Sequence, residues 1–309
     1  MSFKIVDGHQ DLLWHIKQDL KVYQTSPQQL DRSLVRAIFA SIFTDDLAER
    51  QQGDYVNRDL REYQRLVDNH PNLYLAKTFG DFDQSMHQSG QTALMLHLEG
   101  LDCLDCHNWQ EQLVYWHMCG VLSAGLVGNH SNRLGGGCKD SGRLTQLGRA
   151  VVRWMNRNKM IVDLAHTNPD TFYDVLDVVD KPPVVSHGNA RVQANRRRNY
   201  TNDQLRALAD HGGVIGVSFV PGFVRTDRLP NLDDLAEHIM YIINIIGLNH
   251  VAIGSDLGGI LSPRLIPRAG HVSEIDLLLY TLNRKGMQDH ELHLLSSGNW
   301  ERILRTNLL

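Results

Sequence analysis

No hydrophobic run in this sequence is long enough to cross a membrane as a helix. The best apolar stretch, Ile239 to Ile246, is interrupted by Tyr241 and Asn244, and it falls well short of the ~20 residues a spanning helix needs. Cysteine is scarce: four residues, at positions 103, 106, 119 and 138, in a chain of 309. Cys103 and Cys106 form one C-x-x-C. No second such pair or H-x-x-x-H follows at zinc-ribbon spacing, so reduced cysteines are the default reading. Excess charge is lacking too. A net charge of −4 gives no basis for binding nucleic acid or other polyanions. The opening residues, Met1-Ser2-Phe3-Lys4, show no basic segment, apolar stretch and cleavage site of the secretory kind. The expectation is a soluble, cytoplasmic protein with no membrane partner.

What is present points to one large core. Hydrophobic residues make up 42% of the chain, and α/β barrels run to about 250 residues or more as a single unit. With no linker-like composition shift and no internal repeat, one domain over residues 1–309 is the simplest reading. Short apolar runs bounded by turn signals recur at Lys4–Val6, Ala37–Phe43, Ala93–Leu98, Val121–Val127, Met160–Leu164, Pro183–Ser186, Val214–Phe219 and Val251–Gly254. Helix signals lie between them. Thr145 opens a stretch with Leu147, Val151 and Met155 on one face, and Asn168-Pro169 reads as an N-cap with proline at the first helical position. Thr201 and Gln204 form a capping-box pattern, and the helix starting near Asp233 is stopped by Gly247. Eight strands alternating with helices predict a (β/α)8 TIM barrel, with an open doubly wound sheet as the rival.

In a barrel the chemistry sits where strands end, on the C-terminal face. The candidate strands here run into polar residues. The first leads to His9 and Asp11, the third to Glu99, the fifth to His166, the sixth to His187 and the eighth to Asp256. Three imidazoles and three carboxylates on one rim are hard to explain structurally, because carboxylates resist burial unless paired or bound to metal. Three imidazoles and two carboxylates exceed what one tetrahedral catalytic zinc uses. They suit two metals about 4 Å apart with one carboxylate bridging, leaving another carboxylate to move protons. His97 shares the face of Glu99 one layer deeper, and Asp163 is out of phase with His166; both read as structural. His70, His87, His107 and His290 lie in polar stretches and read as exposed.

These residues resemble a known family, the renal-type or membrane dipeptidases, peptidase family M19 of the amidohydrolase-like barrels. Asp7-Gly8-His9-Gln10-Asp11-Leu12 looks like its D-G-H-x-D-L, and Glu99-Gly100 like its E-G. Leu144-Thr145, Met155-Asn156 and Asp163-Leu164-Ala165-His166 resemble L-T-x-x-G…M-N…D-L-S-H. Ser186-His187 with Arg198-Asn199 resembles S-H…R-N. The run Gly247 to Asp256 is similar to G-L-D-H-V-G-I-G-S-D, and Gly298-Asn299 to a closing G-N. The resemblance implies two zinc ions, one held by His9 and Asp11, the other by His166 and His187, with Glu99 bridging. It also implies that Asp256 handles the proton and that Arg198 grips the substrate's C-terminal carboxylate. Arg196 and Arg197 read as a solvated basic turn.

The sequence departs from the family pattern after the fourth strand. Gly128 stands where the family has a substrate-contacting His or a Trp-Asn, and His130, two residues later, is the candidate substitute. No lipid-anchor tail is visible, so the membrane-bound branch is not expected. The expected activity is dipeptide hydrolysis, with a D-residue tolerated at the C-terminal position and β-lactam-like substrates within reach. One alternative keeps the site but takes an N-acyl amino acid or a lactone. Another is a catalytically silent binding paralogue, which the complete set of inner residues disfavours. A homodimer is compatible with the sequence, which does not decide the oligomeric state.

Overall fold

The computed structural model of the chain describes residues 3–18, 24–43, 54–87, 90–261 and 264–309; Met1 and Ser2 of the opening segment lie outside them. Its strands are β1 (Ile5–Gln10), β2 (Val35–Ile42), β3 (Leu73–Leu75), β4 (Thr92–Leu98), β5 (Val121–Gly125), β6 (Ile161–Asp163), β7 (Val184–Gly188), β8 (Val214–Val217) and β9 (Val251–Ile253). All pairings are parallel, in the order β1-β2-β4-β5-β6-β7-β8-β9, and β3 pairs with β4 off that path. The ends of the path meet at a Gln10–Leu257 bridge, where the Asp11 N–H donates to the Leu257 carbonyl at 2.9 Å and the Asp256 N–H to the His9 carbonyl at 3.0 Å. Eight parallel strands with helices between them form a nearly closed (β/α)8 barrel, as the alternation predicts.

The period of two along each strand sorts side chains into two layers. Outward-facing Ile5, Ile38, Leu94, Leu96, Val162, Val185, Ile215 and Ile253 pack with the helices in one large cluster. Inward-facing Val6, Phe39, Met95, Leu122, Ile161, Val184, Val214 and Ala252, one from each barrel strand, form a second cluster around Trp300. Two residues further along, the inward face turns polar or small, with Ser41, His97, Asp163, Ser186, Gly216 and Gly254. The floor is thus apolar and the C-terminal half polar, so ionisable groups collect at one end. Close approach decides the glycines there. A Cβ on Gly254 would lie 1.9 Å from the Ser186 carbonyl oxygen, and one on Gly216 2.2 Å from it.

Helix ends follow the side chains that cap them. Thr145 accepts from the Gly148 N–H, Asn168 from Thr171, and Thr201 with Gln204 completes a capping box. The helix Leu232–Ile246 begins one residue earlier than Asp233, capped by Asn231 and Asp234, and ends at Gly247 with φ +82°. Two strands run further than their apolar patterns indicate: β1 continues through His9 to Gln10, and β7 through His187 to Gly188. Both carry a register irregularity at that point, between Asp7 and Gln10 and between Val185 and Gly188. Such an irregularity re-aims side chains.

Candidate metal centre and active site

The polar residues at the strand ends converge. His9 comes from the irregular end of β1, Asp11 immediately precedes the next helix, Glu99 follows β4, His166 follows β6, His187 lies in β7 and Asp256 follows β9. Glu99 spans the histidines with both oxygens, Oε2 at 3.4 Å from His9 Nε2 and Oε1 at 2.9 Å from His166 Nε2. Asp11 Oδ1 is 3.6 Å from His9 Nε2 and accepts from the Ser41 hydroxyl. His166 and Asp256 each hold φ +67°. Left-handed backbone at a non-glycine residue costs roughly 1–2 kcal/mol, and such residues cluster at functional sites.

Two tautomers can be read from the hydrogen bonds behind the rings. Ser186 Oγ donates to Asp163 Oδ2 at 2.6 Å, so it accepts from His187 Nδ1 at 2.9 Å. His166 Nδ1 donates to Asn129 Oδ1 at 2.9 Å. Both Nε2 atoms therefore carry lone pairs into the site, 3.1 Å from one another. Two facing lone pairs call for a cation between or beside them. A proton is a poor choice: burial, reinforced by Arg198, pushes His166 down to about 4, and burial with His9 and Arg198 nearby pushes His187 well below its ordinary value. His9 is fully buried, and among the described residues neither of its ring nitrogens has a hydrogen-bond partner. Burial lowers its pKa, but Asp11 and Glu99 outweigh that and lift it well above the ordinary value.

The carboxylates ask for positive charge as well. Burial drives Asp256 up to about 8, with Asp11 and Glu99 adding to the rise against the pull of His9. Burial would raise Glu99 too, but its close contacts with the His166 and His9 rings outweigh that and hold it well below the usual range. Ligand atoms of His9, Glu99 and His187, and those of His9, Asp11 and Asp256, lie within 4.8 Å of one another. This donor set of imidazoles and carboxylates fits a borderline divalent metal.

Two further buried carboxylates, Asp7 and Asp163, perform the same task at two joints of the barrel. Asp7 on β1 accepts from the Ser255 N–H at 2.7 Å, the Ser255 hydroxyl at 2.5 Å and the His9 N–H at 3.3 Å. Asp163 on β6 accepts from the Ser186 N–H at 2.9 Å, the Ser186 hydroxyl at 2.6 Å and the Ala165 N–H at 3.0 Å. Each clamps a neighbouring strand immediately before a site residue, Asp256 or His187. Only Ser186 also reaches an imidazole. Ser186→Ala is therefore expected to leave His187 as a mixture of tautomers in the metal-free protein, read by 15N NMR. Metal affinity should fall by about 10- to 100-fold, as is usual for groups behind a ligand. A pure Nδ1–H tautomer in that variant would show that Ser186 does not set the ring.

The centre opens into a cavity of about 510 Å3, bounded by Trp14, Phe43, Asn129, Cys138, Arg198 and Phe223 beside the histidines and carboxylates. A larger one, about 940 Å3, lies by Lys4 and His290 and contains none of these groups. A family model, membrane dipeptidase (peptidase family M19), matches residues 1–308. The chain belongs to that family. It is a metal-dependent hydrolase, a metallopeptidase of the dipeptidase type. An uncharacterized protein from the pqqA 5′ region of Klebsiella pneumoniae is 36% identical over 69% of this chain and 81% of its own. An uncharacterized dipeptidase of Schizosaccharomyces pombe is 29% identical over 98% of this chain and 81% of its own. The metallopeptidase of Rhodobacter sphaeroides, solved with a phosphinate mimic of the dipeptide L-Ala-D-Ala, superimposes with TM-score 0.87 at 21% identity, over 99% of each chain. Among the described residues, no helix is long and apolar enough to cross a membrane.

Within this M19 barrel, seven of the eight residues singled out from the sequence meet at the centre or its cavity. His130 does not: its side chain is 53% exposed, it pairs with Asp140 at 3.2 Å, and it is absent from the cavity wall. Asn129, passed over in the sequence, is the residue of that loop that faces the centre. The signal was its place between Gly128 and His130 at a strand end. Arg198 is buried. Its Nη2 donates to the His187 carbonyl at 3.3 Å, and its buried Nη1 has no hydrogen-bond partner among the described residues.

Proposed function

We propose that the chain is a binuclear zinc dipeptidase that cleaves short peptides bearing a free C-terminal carboxylate and accepts a D-residue at that position. The observation that carries this reading is the pair of Nε2 lone pairs 3.1 Å apart on His166 and His187, with Glu99 reaching across from them to His9. His9 and Asp11 would hold one zinc, His166 and His187 the other, with Glu99 shared. When bound, zinc supplies Lewis-acid polarisation of the scissile carbonyl and lowers the pKa of water towards neutrality.

The chain's own residues do the rest. Asp256 takes the proton from the attacking water as the new C–O bond forms, then passes it to the leaving nitrogen as the C–N bond breaks. Arg198 holds the terminal carboxylate through its unpartnered Nη1, which fixes the peptide's direction and excludes internal peptide bonds. Asn129 keeps the His166 ring turned so that Nε2 faces inward.

A second reading, hydrolysis of an N-acyl amino acid or a lactone, has one observation in its favour. His130, the expected contact on the amino side, lies outside the cavity. Rates of the zinc-loaded protein on dipeptides, their N-acetylated forms, N-acyl amino acids and simple lactones separate the two. Free dipeptides should be the best substrates. Faster turnover of N-acyl amino acids or lactones would replace the dipeptidase reading with the second.

A further inference from the structure

The loop after β7 brings three consecutive arginines, Arg196, Arg197 and Arg198, to the wall of the catalytic cavity, and Lys139 joins them from across the opening. The loop is held in shape. Asn199 Nδ2 donates to the Ala194 and Phe223 carbonyls at 2.8 and 2.9 Å. The Arg191 guanidinium donates to the carbonyls of Arg196, Arg197 and Asn199. Arg197 Nη1 donates to the Lys139 carbonyl at 3.0 Å, tying the two sides of the opening together. Arg196 Nε reaches the Gly222 carbonyl at 3.3 Å.

Nearby carboxylates act on two of the four cations only at a distance, Asp140 on Lys139 and Asp256 with Glu99 on Arg198. Among the described residues, none of them makes an ion pair, whereas Arg143, Arg206, Arg225, Arg228 and Arg305 all do. A chain of net charge −4 thus concentrates unpaired positive charge at the mouth of its own site. A single carboxylate needs a single guanidinium, and the buried Arg198 supplies it. Arg196, Arg197 and Lys139 exceed that requirement. They face solvent, where their field draws in anions and their side chains can rearrange around a second acid.

Resting on the dipeptidase reading above, we propose that the preferred substrates carry a second carboxylate on the C-terminal residue, so that the enzyme favours dipeptides ending in aspartate or glutamate. Arg198 takes the main-chain carboxylate, and Arg196 and Arg197, with Lys139, take the side chain's. Such exposed cations act mainly on capture, so the preference appears in kcat/KM and weakens with salt.

The test compares kcat/KM of the zinc-loaded full chain for Ala-Glu against Ala-Gln, with either hand at the second residue, and for Glu-Ala against Gln-Ala. These pairs differ by one charge at nearly constant shape. Ala-Glu should exceed Ala-Gln by about 10-fold or more at low ionic strength, and the ratio should shrink several-fold in about 0.5 M salt. In the double variant Arg196→Ala/Arg197→Ala the ratio, rather than the absolute rate, is the readout, and it should fall towards one. A wild-type ratio at or below one while Ala-Gln is cleaved overturns the proposal and leaves the dipeptidase reading intact. A preference for Glu-Ala, or a ratio the double variant does not change, overturns it too. Cleavage of none of these peptides defeats the dipeptidase reading and this proposal with it.

Discussion

Asp256→Asn is expected to lower kcat by about 10²- to 10⁴-fold, the usual range for removing a positioned general acid–base, while the protein keeps its metals. Asp256 sits at the end of β9 with φ +67°, and its Oδ2 is 3.4 Å from the Ser218 hydroxyl. Among the described residues, no tight hydrogen bond ties up the carboxylate. Burial beside Asp11 and Glu99 raises its pKa to about 8; divalent charge in the centre acts in the opposite direction and favours the ionised form that can accept a proton. The asparagine keeps shape and volume but cannot take the proton. Steady-state rates with metal analysis on the same sample check both halves. Asp256 also lies within ligand distance of His9 and Asp11, so loss of a metal in Asp256→Asn would make it a ligand. Near-wild-type turnover would leave it no catalytic part.

Arg198→Met should raise KM for a good dipeptide and cut kcat/KM by about 30- to 1,000-fold, corresponding to roughly 2–4 kcal/mol for a charge-assisted contact. Dipeptide amides provide the control, because they offer no carboxylate and should lose much less. The control is needed because Arg198 Nη2 also donates to the His187 carbonyl, so the substitution loosens the end of β7 as well. An equal loss on amides and free dipeptides would assign Arg198 to holding β7. Equal wild-type rates on both would remove the clamp altogether.

The barrel was legible because its signals are local. Alternating burial, capping residues such as Thr201 and Asn168, and Gly247 act within a few residues, and the strands they delimit are those observed. The strand Leu73–Leu75 gave no such signal: it has three residues, only Leu73 of them buried, and it pairs outside the barrel. The site residues were legible as strand-end polar groups, but how they are aimed was not. Strict alternation puts Ser186 and His187 on opposite faces, and only the irregularity in β7 lets Ser186 hold the ring of its neighbour. Asp163 pairs with Ser186 on the next strand and lies 3.4 Å from His97, non-local partners that spacing cannot reveal. The family pattern after the fourth strand points to His130 as the substitute for the missing histidine, whereas its contact with Asp140, ten positions on, holds it outside the cavity. Arg196 and Arg197 are exposed, as a solvated turn requires, and they still line the cavity because exposure and proximity to a site are independent.

Two metals per chain is the central expectation, and zinc titration of the metal-free protein tests it most directly. With zinc bound and weakly held metal removed, elemental analysis should find two equivalents per chain, hydrolysis should vanish on chelation, and it should return on adding zinc back. One equivalent or none at saturating zinc would contradict a shared Glu99 between two ions and, with it, the binuclear mechanism.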